Sequence, residues 1–527
     1  MKIAVLDKIG QPGLEILRAE PSFEVLERVG LRPEEILAQV GDWDAIVVRS
    51  GVKITAEMLE AGQRLRVVGR AGIGVDNIDV EAASRLGIVV MNTPDSNAIT
   101  TAELTLSLMM ALARKIPAAD ASLRAGLWER SRFLGSEVFG KTLGVVGLGR
   151  IGSMVAERAR GLGMRIVGYD PYVETARIGS EELRLVDLDE VLRLSDFLTV
   201  HTPLNDKTRG LINADAIQKM KDGARIINVA RGGIIDEVAL QQALESGKLA
   251  GAAIDVFVKE PPGDHPLLKL DNVVATPHLG ASTEEAQEKV AVAIAEQIKN
   301  ILLDGTILNA VNVPSVSAGE LERLRPYLSL CERLGAFCGQ TTRTTIRQCT
   351  IEFAGEVAQL ETAPLTQAVL KGLLAPQLGE RVNAVNARLL AGERGLRIAE
   401  VKMDADPDFN TLVTVSLETD RGISRVAGTL LGRRQPRLVR IDDYLLDALP
   451  EGTTLVTRNA DRPGVIGAIG TLLGQNDINI SRLQLGLQED RSEAALAVIN
   501  IDGTLTPALL EKLRELPHIL SAEQVVF

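Results

Sequence analysis

Three side chains of different chemistry, Arg231, Glu260 and His278, lie in glycine- or proline-rich turns near the middle of the chain. Arg231 and His278 each follow an apolar run typical of a buried strand, so both should project from a strand's carboxyl end. Glu260 precedes two prolines, which limit the motion of its turn. A carboxylate beside an imidazole forms an acid–base pair, and a guanidinium can bind a substrate carboxylate through two hydrogen bonds. Together they predict hydride transfer from a secondary alcohol, although each alone also fits a structural ion pair, turn or hydrogen bond.

A glycine fingerprint lies upstream of these residues, at Gly147, Gly149 and Gly152. It follows the apolar run 143–146 and opens a helix-like stretch, which is the context in which GxGxxG binds a dinucleotide. The glycines let the backbone approach a pyrophosphate, and the helix N-terminus supplies oriented N–H groups. The next apolar run ends in Asp170, whose carboxylate can bind ribose hydroxyls and would repel a 2′-phosphate. The sequence therefore predicts NAD, and not NADP, as the cofactor.

Size and composition predict a multidomain cytoplasmic protein. The chain has 527 residues, and its net charge of −12 argues against nucleic acid or an anionic membrane as the main partner. No apolar run approaches the roughly 18 residues of a membrane-spanning helix, and the N-terminal segment has no secretory h-region. The cysteines fit no zinc spacing, so no metal site is predicted and they are expected to be apolar fillers: Cys331, Cys338 and Cys349.

Two α/β units are predicted from alternating strand-like and helix-like runs, at 1–95 and 141–280. A long amphipathic helix is predicted from Thr100 to Lys115, and its Thr100-x-x-Glu103 pattern predicts a capping box. Two successive α/β units place a cleft between domains, where small ligands usually bind.

The pattern changes after a predicted linker at 312–317. Residues 318–447 mix helical stretches with long β-type segments, including two strands separated by the turn 433–436. The last segment, from 452 to 527, has the order strand, helix, strand, strand, helix, strand. That order predicts a ferredoxin-like domain.

Ten short stretches of the chain resemble the D-2-hydroxyacid dehydrogenase superfamily. They are VRS (48–50), GRAGIGVDN (69–77), WER (128–130), GKTLGVVGLGRIG (140–152), GYDPY (168–172), HTPL (201–204), NVARGGIIDE (228–237), AAIDVF (252–257), EPP (260–262) and PHLGAST (277–283). The resemblance implies that Arg231, Glu260 and His278 are the catalytic residues. It also implies the following residues at the NAD site: Gly147, Gly149, Arg150, Ile151, Gly152, Asp170, Thr202, Val229, Ala230, Asp255, His278 and Gly280.

Over its full length the chain is similar to the long-form members of that superfamily. The resemblance implies an α/β fold with a Rossmann-type NAD domain and a flavodoxin-like substrate domain. An α+β intervening domain and a C-terminal ferredoxin-like ACT domain should follow. In this family the helix after His278 returns to the N-terminal domain, so the substrate-binding domain is expected to be discontinuous. The expected boundaries are 1–97 with 284–311 for the substrate-binding domain, 98–283 for the NAD domain, 315–448 for the intervening domain and 452–527 for the ACT domain.

The substrate implied by the long-form resemblance is 3-phospho-D-glycerate, oxidised with NAD as the first step of phosphorylated serine synthesis. Its carboxylate and its dianionic phosphate together need more than one arginine. The family motifs that recognise phosphate match Arg49, Arg70 and Arg130, with Arg132 and Lys53 as further candidates. Ser50 and Gly72, in the same motifs, are also expected to bind the substrate. For Arg49 or Arg70 alone, the alternative is an ion pair with a nearby acid.

The ACT-like segment implies an amino-acid effector, with L-serine as the candidate. Asp461 and Asn479 match the ligand-binding turn and second strand of such domains and would hold ammonium and carboxylate groups. Some serine-inhibited relatives carry histidine where this chain has Asn459, so a domain used only for assembly is the alternative. Pairing through an exposed sheet edge, together with a dimer of the dehydrogenase core, predicts a homotetramer.

Two other functions remain open from the sequence. One is reduction of an unphosphorylated acid such as glyoxylate or hydroxypyruvate. Enzymes of that kind usually end near residues 312–317, so the additional 210 or so residues argue against it. The other is a non-enzymatic NAD-sensing protein, like the corepressors of the superfamily. Those lack an ACT segment, and the present chain has no basic nuclear run.

Overall fold

Two compact units make up the chain in the computed structural model, which describes residues 1–94, 98–173, 177–178, 181–314, 318–486 and 494–527. One unit comprises Met1–Lys8, Ile16–Asn92 and Ile294–Phe527, and the other comprises Ile9–Glu15 and Thr93–Ala293. Within the described ranges, no helix is long and apolar enough to cross a membrane.

The N-terminal sheet of the first unit is parallel and five-stranded, in the order β2-β1-β3-β4-β5. That order is the flavodoxin-like one, as predicted. Its middle strand, β3, is buried along its whole length, as expected when helices cover both faces of a parallel sheet. The elements are β1 (Lys2–Val5), α1 (Gln11–Arg18), β2 (Glu24–Glu27), α2 (Pro33–Leu37), β3 (Ala45–Val48), α3 (Ala56–Ala61), β4 (Val67–Arg70), α4 (Val80–Leu86) and β5 (Val89–Met91).

The second unit is built on a seven-stranded parallel sheet, in the order β10-β7-β6-β11-β12-β13-β14. The strand order reverses at β6, as in a Rossmann fold, and a crevice for a dinucleotide forms at the carboxyl ends there. The elements are α5 (Ala98–Arg114), α6 (Ile116–Arg124), β6 (Thr142–Val146), α7 (Arg150–Gly161), β7 (Arg165–Tyr169), β8 (Arg177–Ile178), β9 (Glu181–Glu182), β10 (Arg184–Leu185), α8 (Leu188–Leu194), β11 (Phe197–Val200), α9 (Ala214–Lys219), β12 (Ala224–Asn228), α10 (Glu237–Glu245), β13 (Leu249–Ile254) and β14 (Val273–Ala275). Helix α11 (Glu284–Asp304) begins in this unit, and its residues from Ile294 onward belong to the first unit.

The middle of the first unit is a mixed six-stranded sheet, in the order β16-β15-β17-β18-β19-β20. Only the β15–β16 pair is parallel among its described pairings. Helices α12 and α13 pack with the sheet around one apolar core. The elements are α12 (Ala318–Thr341), β15 (Ile346–Gly355), α13 (Ala363–Leu378), α14 (Ala387–Glu393), β16 (Arg397–Met403), β17 (Thr411–Thr419), β18 (Gly422–Leu431), β19 (Gln435–Ile441) and β20 (Tyr444–Ala448).

The C-terminal segment confirms the predicted ferredoxin-like order. Its four strands form an antiparallel sheet in the order β22-β23-β21-β24. The elements are β21 (Thr453–Ala460), α15 (Val465–Gly474), β22 (Ile480–Gly486), β23 (Ala494–Ile501), α16 (Pro507–Arg514) and β24 (Ile519–Val526).

The ACT-like sheet is covered on both faces, each by a different layer. Alternate side chains along a strand point to opposite faces. Leu455 and Ile499 pack with α15 and α16. Val456 and Val498 belong instead to the apolar core formed by α12 and the mixed sheet. Residues 318–448 and 452–527 therefore share a core.

Several sequence-based details were wrong. Helix α5 begins at Ala98, so Thr100 lies inside the helix and not at its N-cap; its hydroxyl lies 3.4 Å from that of Thr283. Strand β2 was missed because it is a short, partly exposed edge strand. Asn312, expected to open a linker, is held to the N-terminal sheet, since its Oδ1 accepts the Val90 N–H at 2.9 Å.

Some predicted segments lie partly outside the described residues. They are positions 315–317 of the expected linker and the ends of two predicted strands at 487 and 493.

Candidate active site

Arg231, Glu260 and His278 follow three adjacent strands of the second unit. Strands β12, β13 and β14 are parallel neighbours, so the loops after them leave the same edge of the sheet. Nδ1 of His278 lies 2.7 Å from Oε2 of Glu260. The sequence-predicted acid–base pair is therefore brought together across 18 positions of chain.

The Glu260 carboxylate is held in its charged form. Burial by itself would raise the pKa of Glu260. Hydrogen bonds from His278 and from the Phe257 N–H, with the positive charges of His278 and Arg231, outweigh burial and lower that pKa. A carboxylate fixed in this way stabilises an imidazolium beside it, and Nε2 of His278 is the ring nitrogen left for proton transfer.

The Arg231 loop packs closely against the turn that carries Glu260. Its Nη1 donates to the Ala230 carbonyl at 2.7 Å, and its own carbonyl accepts from Asn228 Nδ2 at 2.9 Å. A Cβ on Gly232 would lie 2.0 Å from the Phe257 carbonyl oxygen, so only glycine permits this approach. The guanidinium is thereby placed near enough to Glu260 to affect its pKa.

Asp255 organises the loop that carries His278. Its Oδ1 accepts from the Thr276 hydroxyl at 2.6 Å and the Leu279 N–H at 2.7 Å, and its Oδ2 accepts from the Gly280 N–H at 3.0 Å. Burial raises the pKa of Asp255, partly opposed by these donors. His278 has a φ of 54°, a left-handed conformation that this bonded loop maintains. These hydrogen bonds do not test the expected contacts of Asp255 and Gly280 with NAD, which stay predictions.

Glu237 and His265 were missed in the sequence. Glu237 Oε1 accepts from the Val258 N–H at 2.8 Å, and its Oε2 lies 3.2 Å from His265 Nε2. Nδ1 of His265 accepts from the Leu267 N–H at 3.3 Å, so Nε2 carries the proton toward Glu237. These hydrogen bonds hold the turn 257–265, which contains Glu260. No residue spacing in the sequence predicts them.

Replacing Glu237 with alanine should lower kcat by about tenfold, because the turn carrying Glu260 loses two hydrogen bonds and acid–base geometry is sensitive to small displacements. The pH profile of kcat should change as well, since Glu260 acts through His278. Steady-state kinetics across pH 6–10 would test this, with Asp215→Ala on α9 as a surface control. If the variant had an unchanged pH profile and only a lower melting temperature, Glu237 would have a purely structural role.

The glycine fingerprint forms a cradle between β6 and α7. Gly147 has a φ of 93°, and a Cβ there would lie 2.7 Å from the His201 carbonyl oxygen. A Cβ on Gly152 would lie 2.0 Å from the Gly147 carbonyl oxygen. Gly149 is the N-cap of α7, and nothing in the described chain lies within 4 Å of where its Cβ would be. The loop therefore leaves open space at a helix N-terminus, which suits a pyrophosphate.

Two side chains near the fingerprint fit a dinucleotide. Asp170 Oδ2 accepts from the Leu148 N–H at 2.8 Å, so its carboxylate lies at the loop, with lone pairs left for ribose hydroxyls. The buried hydroxyl of Thr202 has no hydrogen-bond partner within the described parts of the chain. A buried polar atom without a partner is costly, and a bound cofactor would satisfy it. The donor set therefore fits NAD. Arg150 and Ile151 begin α7 after the glycine cradle, and Val229 and Ala230 lie in the loop that follows β12.

Substituting Asp170 with asparagine should reduce the preference for NAD over NADP, because the charge that repels a 2′-phosphate is removed. The amide oxygen can still accept from Leu148, so the loop is preserved. Comparing kcat/KM for the two cofactors would measure this change. An unchanged ratio would show that Asp170 does not contact the ribose.

His201 is neutral in the folded protein. Burial lowers its pKa to about 4, and Nε2 lies 2.9 Å from the Thr199 hydroxyl. Its carbonyl, and not its ring, contacts the glycine cradle. The histidine is therefore a structural residue at the end of β11.

The predicted phosphate-binding residues lie in both units. Arg49 directly follows β3, and Val48 pairs with Arg70 at the end of β4, so Arg49 and Arg70 lie on neighbouring strands in the first unit. A Cβ on Gly72 would lie 1.4 Å from Nη1 of Arg70, which explains glycine at that position. Ser50 is exposed beside Arg49. Arg49 forms no ion pair with any residue that the structure describes. The alternative, in which Arg49 only pairs with a nearby acid, is therefore not supported.

Arg130 belongs to the second unit, in a short 3₁₀ helix, Arg130–Phe133. The further candidate Arg132 pairs with Glu129 at 3.2 Å and with Asp271 at 3.1 Å. Its charge is thus already matched by two carboxylates.

The predicted effector residues flank the first ACT-like helix. Asp461 follows β21 and is exposed, and Asn479 precedes β22 and donates from Nδ2 to Asp502 at 2.9 Å. Asn459 is buried. Its Nδ2 donates to the Ala460 carbonyl at 2.9 Å, and its buried Oδ1 has no hydrogen-bond partner among the residues that the structure describes.

A Rossmann sheet with a glycine cradle, joined to an Arg–Glu–His set, defines an NAD-dependent dehydrogenase of the 2-hydroxyacid class. Residues 106–280 match the family model for the NAD-binding domain of D-isomer specific 2-hydroxyacid dehydrogenases. Residues 323–442 match the D-3-phosphoglycerate dehydrogenase intervening domain, and residues 453–518 match the ACT domain.

Curated relatives match the chain over nearly its whole length. It is 43% identical to D-3-phosphoglycerate dehydrogenase of Methanocaldococcus jannaschii, covering 98% of each chain. It is 42% identical to the enzyme of that name from Archaeoglobus fulgidus, covering 100% of each. The NAD-dependent formate dehydrogenase of Staphylococcus aureus, solved with NAD, superposes with a TM-score of 0.54 at 28% identity, covering 60% of this chain and 100% of that one. The chain belongs to the D-3-phosphoglycerate dehydrogenase family.

Proposed function

We propose that the chain oxidises 3-phospho-D-glycerate to 3-phosphohydroxypyruvate with NAD, as the entry step of serine synthesis in the cytoplasm. The observation that carries this proposal is the 2.7 Å pair of His278 and Glu260 on the same sheet as the glycine cradle. The three cysteines are free and buried, as suits a reducing compartment.

Each catalytic residue has a distinct role in this reaction. NAD, when bound, accepts the hydride. His278 accepts the proton of the substrate hydroxyl through Nε2, and Glu260 stabilises the imidazolium that results. Arg231 binds the substrate carboxylate and polarises the carbon that is oxidised. Proton transfer and substrate orientation are thus assigned to separate side chains.

Recognition of the phosphate is assigned to Arg49, Arg70 and Arg130, and Ser50 and Gly72 are assigned to binding of the substrate beside them. A phosphate dianion is bound best by several guanidinium groups and backbone N–H groups. The adjacent register of Arg49 and Arg70 supports this assignment. Recognition of a phosphate group also distinguishes the proposed substrate from glyoxylate and hydroxypyruvate, which carry no phosphate.

An assay of the purified protein with NAD and 3-phosphoglycerate, against glycerate and lactate, tests the proposed reaction. Turnover confined to the phosphorylated acid supports it. Comparable turnover of glycerate would favour the unphosphorylated-acid reductase. Binding of NAD with no turnover of any of these acids would favour a sensor.

We further propose that the chain is a homotetramer regulated by L-serine at Asp461 and Asn479. Strand β22 forms an edge of the ACT-like sheet, which a second copy can extend. In the second unit, several large apolar side chains between residues 116 and 139 are exposed and suit a contact with another copy: Ile116, Leu123, Leu127, Trp128, Leu134 and Phe139.

Because residues 452–527 share a core with residues 318–448, deleting them would expose apolar surface. Point variants are therefore the better test of regulation. Light scattering of the full chain measures assembly, and serine titration of wild type, Asp461→Ala and Asn479→Ala measures regulation. A wild type insensitive to millimolar serine would contradict the effector site and leave assembly untouched.

A further inference from the structure

Two polar side chains that belong to none of the sites above, Asp7 and Asn77, hold the loop that follows β3. This substrate loop, residues 49–52, begins with Arg49. Asp7 follows β1, and Asn77 lies between β4 and α4. Strands β1, β3 and β4 are parallel neighbours in the first unit, so the segments after them leave the same edge of the sheet. The strands that precede Asp7 and Asn77 therefore flank the strand that carries the substrate loop.

The carboxylate of Asp7 accepts hydrogen bonds from two backbone N–H groups of the substrate loop. Its Oδ2 lies 2.7 Å from the Arg49 nitrogen and 3.3 Å from the Val52 nitrogen. A Cβ on Gly51 would lie 2.5 Å from Oδ1 of Asp7, so the loop packs directly against this carboxylate. Asp7 forms no ion pair with any residue that the structure describes. Its charge is therefore stabilised by the N–H groups of the loop.

The amide of Asn77 makes the complementary pair of hydrogen bonds. Its Nδ2 donates to the Arg49 carbonyl at 2.7 Å and to the Val52 carbonyl at 2.6 Å. The backbone carbonyl of Asn77 also accepts from the Ile54 N–H at 2.8 Å. At Arg49 and at Val52, the N–H is thus bonded to Asp7 and the carbonyl to Asn77. The conformation of the loop is therefore fixed at both ends by side chains from two other segments.

The middle of the substrate loop is left available for a ligand. Ser50 and Gly51 are exposed, and their backbone N–H groups donate to no residue in the described part of the chain. Backbone N–H groups and a guanidinium are donors that suit a phosphate. The negative charge of Asp7 would itself repel a phosphate dianion. Asp7 can therefore favour phosphate binding only by holding the loop, and not as a ligand.

We propose that Asp7 and Asn77 are positioning residues, which fix the substrate loop so that its guanidinium and its unbonded N–H groups bind the phosphate of the substrate. This inference rests on the proposed reaction with 3-phosphoglycerate. A loop that is ordered before binding spares the substrate the entropy cost of ordering it. The effect of the two residues therefore appears in the KM for the phosphorylated acid, and much less in kcat.

Steady-state kinetics of isosteric variants test the direction of these hydrogen bonds. Asp7→Asn keeps an oxygen that accepts from the loop, so its KM for 3-phosphoglycerate should stay within about threefold of wild type. Asn77→Asp places an oxygen against two carbonyl oxygens, and that KM should rise by at least about tenfold because two hydrogen bonds are lost. Asp7→Ala should raise it similarly. The KM for NAD should change by less than about twofold in each variant, because the glycine cradle lies in the other unit.

The matched control is Asp42→Ala, an exposed aspartate of the same unit that lies 3.8 Å from Nζ of Lys2. It should leave both KM values as in wild type, and thermal melting checks that every variant is folded. Equal KM values for Asp7→Asn and Asn77→Asp would mean that only side-chain shape matters, and would overturn the inference while wild type remains active. A wild type that does not oxidise 3-phosphoglycerate would instead overturn the proposed reaction, and this inference with it.

Discussion

Turnover of the His278→Ala variant is expected to fall by about 10² or more, because the group that accepts the hydroxyl proton is lost. NAD affinity should change little, since the glycine cradle and Asp170 lie on other loops. The Glu260→Gln variant should move the acidic limb of the pH–rate profile, because the imidazolium loses its charged partner at 2.7 Å. Steady-state kinetics and cofactor titration measure both effects.

The backbone at His278 requires a second variant. Its φ of 54° is tolerated by asparagine better than by alanine, so His278→Asn separates loss of the imidazole from backbone strain. His518, which also has a positive φ of 69°, offers a matched control as His518→Asn in the ACT-like segment. Near-normal turnover in both His278 variants would show that another group transfers the proton.

The Arg231→Lys variant is expected to lose about 10² in kcat/KM, although the positive charge is kept. An ammonium group is a point charge and cannot reproduce the planar fork that binds a carboxylate through two hydrogen bonds. The loss should appear in both kcat and KM, because the substrate carboxylate is bound in the ground state and in the transition state. Kinetics with 3-phosphoglycerate as the varied substrate would measure it.

The matched control for Arg231 is Arg193→Lys, at the exposed face of α8 in the same unit. That variant should be unchanged within about a factor of two. A wild-type kcat/KM for Arg231→Lys would exclude a bidentate contact with the substrate. It would leave the His278–Glu260 pair intact as the proton-transfer group.

Local features could be predicted from the sequence where a residue type, or the spacing of apolar residues, is compatible with only one backbone conformation. Gly147 has a φ of 93° and no space for a Cβ, so the fingerprint in the sequence already specifies the turn before α7. The order strand, helix, strand, strand, helix, strand between 452 and 527 predicted the ferredoxin-like domain, because that order of elements is typical of this fold.

Other features depended on side chains that are distant in sequence. Glu260 and His278 are 18 positions apart, and Glu237 lies 28 positions from His265. Residue type suggested the first pair, but no local signal indicated the second. Thr100 is a case in which a local signal was wrong. Its sequence pattern predicted a capping box, but α5 begins two residues earlier, at Ala98.

The sequence by itself determined the two Rossmann-like alternations, the NAD cradle, the catalytic residue types and the order of the C-terminal domain. Each depends on backbone conformation or periodicity within a few residues. Tertiary structure alone decided that the ACT-like sheet buries Val456 and Val498 in the core of the preceding segment. Packing between segments depends on the complementary shape and charge of side chains that are far apart in the chain. The spacing of residues along one segment therefore does not predict that packing.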